Sequence, residues 1–90
     1  MAIAVYFHPA KMNAKSYDEA MRRLAEAGQG KPKGRRHHSC FGTGESLMVY
    51  DVWESQEAFD AFGAILMPIL QEISLDPGQP DIMPVHNIVD

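Results

Sequence analysis

An α+β domain, with two helices laid over one face of an antiparallel sheet, is the fold class this sequence predicts. Three observations carry it. Ala2 to His8 shows a period-two pattern apolar on both faces until His8, and Ser46 to Trp53 is a second strand-length apolar run broken by Asp51. Two longer stretches, opening near Ser16 and Ser55, instead repeat their apolar residues at helical spacing. Glycine- and proline-bearing segments separate them at Gln29 to Arg36, Gly42 to Glu45 and Asp76 to Pro80. Ninety residues, 46 % apolar and 22 % charged, suffice for a single domain spanning 1–90 and are too few for two.

Taken in order, Ile3, Val5 and Phe7 form one face of a first strand, and Ala2, Ala4, Tyr6 and His8 the other. Ser16 and Glu19 then have capping-box spacing, in which the serine hydroxyl accepts from the Glu19 amide while the glutamate reaches back to the cap. The helix they open would bury Tyr17, Ala20, Met21, Leu24 and Ala27, and end at Gly28 in the left-handed conformation. The run Gln29 to Arg36 reads as a solvated connection. Arg35 to Phe41 and Ser46 to Trp53 follow as a hairpin; a turn centred on Thr43 and Gly44 pairs Arg36 with Asp51, His38 with Val49, and His37 with Tyr50.

Ser55 caps a second helix that gathers Ala58, Phe59, Phe62, Ile65, Leu66, Ile69, Leu70 and Ile73 on one broad face. Pro68 clashes with the carbonyl four residues earlier, which predicts a kink or a break near Met67. Ile82 to Val89 reads as a last strand, at an edge because Pro84 cannot donate to a ladder. The order βαββαβ is that of a ferredoxin-like domain with a four-stranded antiparallel sheet.

Two helices cover only one face of that sheet, yet the first and third strands carry large apolar groups on both. At about 25 cal/mol per Å², several exposed strand residues would cost several kcal/mol, comparable with the stability of such a domain. A homodimer packed sheet against sheet is the expected remedy, since a two-fold copy offers a self-complementary surface.

Charge narrows the function classes. The first 36 residues hold all eight basic side chains and three acidic ones, and the remainder nine acidic and none basic. The net charge of -4 and the loop-like context of the basic run argue against a nucleic-acid partner. The single Cys40 excludes an intrachain disulfide and suits a reducing, cytoplasmic setting. Met1 to Phe7 lacks a basic leader and stops at His8-Pro9, and Ala61 to Leu70 is interrupted by Gly63 and Pro68, so neither a signal peptide nor a membrane span is expected.

From Asp51 through Trp53 and Ser55 to Ala58 and Phe59, where the third strand hands over to the second helix, the sequence resembles the dimeric α+β barrel superfamily, especially small proteins of the antibiotic biosynthesis monooxygenase type. That resemblance implies an enzyme of the cofactor-independent monooxygenase kind, or a non-catalytic ligand-binding or interaction module of the same fold. Haem-degrading members use a tryptophan on the second helix, an axial histidine further along it, and an asparagine ending the first strand. The matching places here are Phe62, Glu72 and His8, so no haem and no other cofactor is implied.

Four histidines, His8, His37, His38 and His86, are the candidates for proton transfer. Adjacent strand residues point to opposite faces, so His37 and His38 cannot share a metal, and no metal site is expected. His86, on the last strand beside the first, and His8 are the candidate catalytic bases. Tyr6, His37, Tyr50, Asp51, Trp53, Phe59 and Phe62 are the candidate pocket wall, able to stack on a small aromatic or polyketide-like ligand. Asp51 is the odd charge in an apolar strand: pairing with Arg36 would satisfy it structurally, whereas a neighbouring histidine would make it half of an acid–base pair.

Overall fold

The two strand-length apolar stretches pair with each other at the centre of the sheet. The structure, a computed structural model, describes residues 1–89. Its elements are β1 (Ile3–Phe7), α1 (Ala14–Glu26), β2 (Arg35–Phe41), β3 (Met48–Trp53), α2 (Gln56–Glu72) and β4 (Asp81–Pro84). The strands lie in the order β2-β3-β1-β4 with every pairing antiparallel, which is the ferredoxin-like α+β arrangement. Ile3, Val5 and Trp53 meet Leu24 of α1 and Phe62 of α2 to form the core, and Val5 and Trp53 are fully enclosed. No helix among the described residues is long and apolar enough to cross a membrane.

Helix α1 begins three residues earlier than the Ser16 cap predicts, because Asn13 is the cap. Asn13 Oδ1 accepts from the Ser16 amide at 2.9 Å, and Ser16 Oγ accepts from the Asn13 amide at 3.2 Å. Asparagine is among the strongest capping residues, and the reciprocal pair satisfies two donors that have no partner within the helix. Glu19 is thereby released from capping. It binds Arg22 at 2.6 Å and Arg23 at 2.7 Å, and these guanidinium hydrogen bonds hold its carboxyl down to about 2. Gly28 closes the helix at φ 80°, as its position predicts.

The hairpin register differs from expectation. The ladder opens at Phe41 opposite Met48, leaving 42–47 as a loop, and it pairs His38 with Asp51, Ser39 with Tyr50 and Cys40 with Val49. Arg36–Asp51, His38–Val49 and His37–Tyr50 do not form. The cause is tertiary: the backbone flanking Ser46 is drawn to Met12, whose N–H donates to Glu45 O and whose carbonyl accepts from the Leu47 amide, both at 3.0 Å. A shift of two residues keeps each side chain on its face but changes its cross-strand neighbour.

Helix α2, capped by Ser55 Oγ accepting from the Ala58 amide at 3.1 Å, runs unbroken through Pro68, contrary to the expected break. Pro68 and Ala64, whose carbonyl loses its partner, are both exposed, so water can satisfy that carbonyl. Strand β4 is an edge strand as predicted but stops at Pro84. After the Val85 amide donates to Ala2 O at 3.0 Å, residues 86–89 leave the ladder. Ile65, expected inside, is 37 % exposed.

Tyr6, Phe41, Met48, Tyr50 and Met83 stand on the face without helices, where Phe41 is 44 % and Met83 60 % exposed. Tyr6 stacks on Phe41 at 6.4 Å, and its hydroxyl donates to Met48 Sδ at 2.9 Å.

Candidate functional site

A carboxylate in the middle of a buried strand needs partners, because desolvation without compensation costs several kcal/mol, about 2–7 for a polar group and more for a charge. Asp51 is 3 % exposed and faces the helices. Its Oδ2 accepts from the Trp53 indole at 3.3 Å, two residues along the same face. Its Oδ1 meets His38 Nδ1 at 2.6 Å, directly across the ladder. A carboxylate only accepts, so Nδ1 carries a proton toward Asp51, and in the neutral tautomer Nε2 is then the acceptor. Nε2 lies 2.5 Å from the Tyr17 hydroxyl, which therefore donates to it from α1. Burial pushes the Tyr17 phenol above its ordinary range; Cys40 and Asp51 add to the rise and Arg35 opposes it.

These groups line one side of a cavity of about 60 Å³ between the sheet and the helices. The surface it presents is almost wholly apolar, with Met12, Met21, Val49, Phe62 and Leu66 among its lining residues and Leu75 and Pro77 contributed by the irregular segment after α2. Arg35 also lines it. An imidazole held by a buried carboxylate at one nitrogen and by the Tyr17 hydroxyl at the other is the geometry of an oriented base whose acceptor is occupied by Tyr17. Among the described residues, no cluster of three or more His, Cys, Asp or Glu side chains could hold a metal ion.

The sheet divides the residues expected at the site. Asp51 and Phe62 line the cavity. Trp53 lies beneath it holding Asp51, and Phe59 packs on Trp53 at 5.8 Å and Phe7 at 6.2 Å. Tyr6, His37 and Tyr50 stand on the opposite face, where His37 meets the Tyr50 ring at 5.7 Å and Ser39 Oγ at 3.1 Å. His8 is exposed, 3.2 Å from Asp81, and His86 is exposed beyond the end of β4; neither lines the cavity. Of the two partners open to Asp51, the structure chooses a histidine over Arg36. The histidine is His38, which the sequence offers with no more emphasis than its neighbour. Tyr17 reads in the sequence as core stripe and Arg35 as basic loop. The signal that joins all three is strand parity combined with the true register.

No protein-family model matches this sequence, and no curated protein matches it. Solved structures do match. The cofactor-independent oxygenase SnoaB from Streptomyces nogalater aligns over 98 % of this chain and 94 % of its own at 15 % identity, with a TM-score of 0.63. A structural-genomics protein, YJCS, covers 96 % of this chain and 100 % of its own at 14 % identity and a TM-score of 0.67. A candidate antibiotic biosynthesis monooxygenase from Deinococcus radiodurans covers 100 % and 97 % at 10 % identity and a TM-score of 0.61. Likeness at these identities shows the fold, which is that of the antibiotic biosynthesis monooxygenase-like proteins.

Proposed function

We propose that this protein is a small pocket enzyme of the cofactor-independent monooxygenase kind, acting on a small enol or phenol, with His38 as its general base. The observation that carries this reading is the Asp51–His38 pair at 2.6 Å, its imidazole directed at a hydroxyl beside the apolar cavity. In such chemistry the base removes a proton from the activated substrate, and the resulting carbanion reacts with dioxygen. Loss of water from the hydroperoxide then leaves a carbonyl on the substrate. The enzyme needs only the base, water exclusion and a shaped apolar space.

Oxygen uptake over a panel of hydroxyaromatic and enolisable compounds tests the assignment. His38→Ala should lower the rate about 100-fold or more, the lower range for loss of a positioned base. His8→Ala and His86→Ala should leave it unchanged; loss of activity in either of those, with His38→Ala unaffected, would move the site to the residues the sequence favoured. The cavity's small volume, about 60 Å³, and its almost wholly apolar lining support the second reading, a non-catalytic ligand-binding or interaction module. For a larger aromatic or polyketide-like substrate, the Leu75 to Pro77 wall has to yield. Binding without oxygen uptake across the panel would decide for the module.

The proposed assembly is a homodimer in which the faces bearing Tyr6, Phe41, Tyr50 and Met83 pack together. Its support is the exposed apolar and aromatic surface there. Light scattering should give about 20 kDa, twice the 10.0 kDa chain, and the unfolding midpoint should rise with protein concentration. Tyr50→Asp should give a folded chain of half that mass, and a wild-type mass near 10.0 kDa would end the proposal. The free Cys40 thiol suits a reducing, cytoplasmic location.

A further inference from the structure

The sheet face without helices is not flat. Between β2 and the segment that follows β4 it holds an open groove of about 510 Å³, within the span of roughly 300–1,000 Å³ usual for small-molecule sites. The cavity between sheet and helices has only about 60 Å³. Val52 and Tyr50 of β3 form the floor of the groove, and Arg36 and His37 of β2 one wall. The other wall is the segment from Val85 to Val89, anchored where the Val85 amide donates to Ala2 O at 3.0 Å. Unlike the cavity, the groove presents polar and apolar surface in comparable measure.

Adjacent strand residues cannot ordinarily wall one groove, because successive side chains point to opposite faces. Arg36 and His37 do so because β2 is irregular there. Arg35 stands opposite Trp53 and His37 opposite Val52, so Arg36 is the extra residue of a β-bulge, and the bulge sets a guanidinium beside an imidazole. Arg22 and Arg23 are paired with carboxylates within 4.0 Å, whereas Arg36 has no such partner among the described residues, and none of the residues lining the groove is acidic. The His37 ring lies 5.7 Å from that of Tyr50, and its Nε2 meets Ser39 Oγ at 3.1 Å. Across from them Ile88 and Val89 leave apolar side chains 49 % and 86 % exposed, which a ligand would cover. A planar cation on one wall, an aromatic floor and apolar side chains opposite together suit an anion with a flat apolar body.

We propose that this groove binds a small aromatic carboxylic acid, its carboxylate paired with Arg36 and its ring laid over Tyr50 and Val52 against Ile88. The groove lies across the sheet from Asp51 and His38, so a ligand there is additional to the base proposed above. All of its walls come from one chain, and Phe41, at the far end of β2, lies outside it.

Calorimetry with 2-naphthoate and its uncharged analogue 2-naphthamide tests this, and proton NMR places the bound probe. Wild type should bind the acid roughly tenfold or more tighter than the amide, as expected for a charge-assisted contact, with shifts at the His37 and Tyr50 rings and the Ile88 methyl groups. Arg36→Met should abolish the preference, and Arg36→Lys, which keeps the charge and loses the fork, should keep part of it. Lys31→Met, which removes an equal charge from the exposed loop, should keep all of it. Phe41→Asp, which places a charge on the proposed dimer face outside the groove, should leave binding intact, and circular dichroism checks that each variant is folded. Absence of binding, equal binding of acid and amide, or a preference that survives Arg36→Met overturns the proposal. Shifts confined to Met21 and Leu66 overturn it too, by placing the probe between sheet and helices. Tighter binding of phenyl phosphate than of benzoate overturns the carboxylate class, and loss of binding in Phe41→Asp overturns a site built from one chain. Oxygen uptake reads the cavity on the other face and is unaffected by any of these outcomes.

Discussion

Val5→Asp is expected to unfold the domain at neutral pH. Val5 has no exposed surface and stands directly opposite Asp51 in the β1–β3 ladder, on the face covered by both helices. The substitution places a second carboxylate across from one whose hydrogen bonds are already committed to His38 and Trp53. The new group finds neither water nor a cation, and it repels its neighbour. A buried, uncompensated charge costs about 3–5 kcal/mol before that repulsion is added, against a total stability of about 5–15 kcal/mol for a small domain. Protonation removes the charge, so burial raises the pKa of the new carboxyl in the folded state. The folded variant should therefore recover stability as pH falls and lose it as pH rises. Circular dichroism as a function of urea and pH measures this. A cooperative, wild-type-like transition at neutral pH would show that the Val5 side chain is not enclosed between sheet and helices.

Asp51→Asn is expected to leave a folded protein with a disabled base. The amide can still accept from Trp53, so the stability lost should be about 1–3 kcal/mol, the range for one compromised buried hydrogen bond. The amide nitrogen then faces His38 Nδ1 as a donor, and the imidazole must accept there and carry its proton on Nε2 instead. That reverses the hydrogen bond with Tyr17, so the imidazole no longer offers an acceptor at Nε2. Where oxygen uptake is measurable, it should fall about 100- to 10,000-fold, as expected when a general base is held in the wrong tautomer. Nitrogen NMR of the imidazole reads the tautomer without any substrate. Nδ1 should be protonated in wild type and Nε2 in the variant, and an unchanged tautomer would refute the role of Asp51 as the orienting group.

The element order, the edge position of the last strand, the Ser55 cap and the left-handed Gly28 were legible in the sequence because each rests on local chemistry. Period-two alternation, a capping hydroxyl and a residue free to adopt positive φ act within a few neighbours, and tertiary packing had no reason to oppose them. Of the kink or break expected at Pro68, the break does not occur, because its cost depends on whether the orphaned carbonyl reaches water, which only the placement of α2 decides. Asn13 displaced Ser16 as a cap because two adequate caps lay three residues apart and the chain can use only one.

The site was half legible. Asp51 stood out as a charge in an apolar strand, and a histidine partner was one of two open readings. Which histidine depended on a register slipped by two residues, set by Met12 drawing the backbone around Ser46 out of the turn. No local pattern records a backbone hydrogen bond made across more than thirty residues. Arg35 reached the cavity only through a bulge, and a bulge inverts the parity from which strand faces are read. Thus the residue types in the sequence determined the α+β class, the apolar faces and the inventory of proton-transfer groups. The tertiary structure alone decided that Tyr17, Arg35, His38 and Asp51 share one cavity, because their meeting depends on register, bulge and helix placement, which follow from long-range packing.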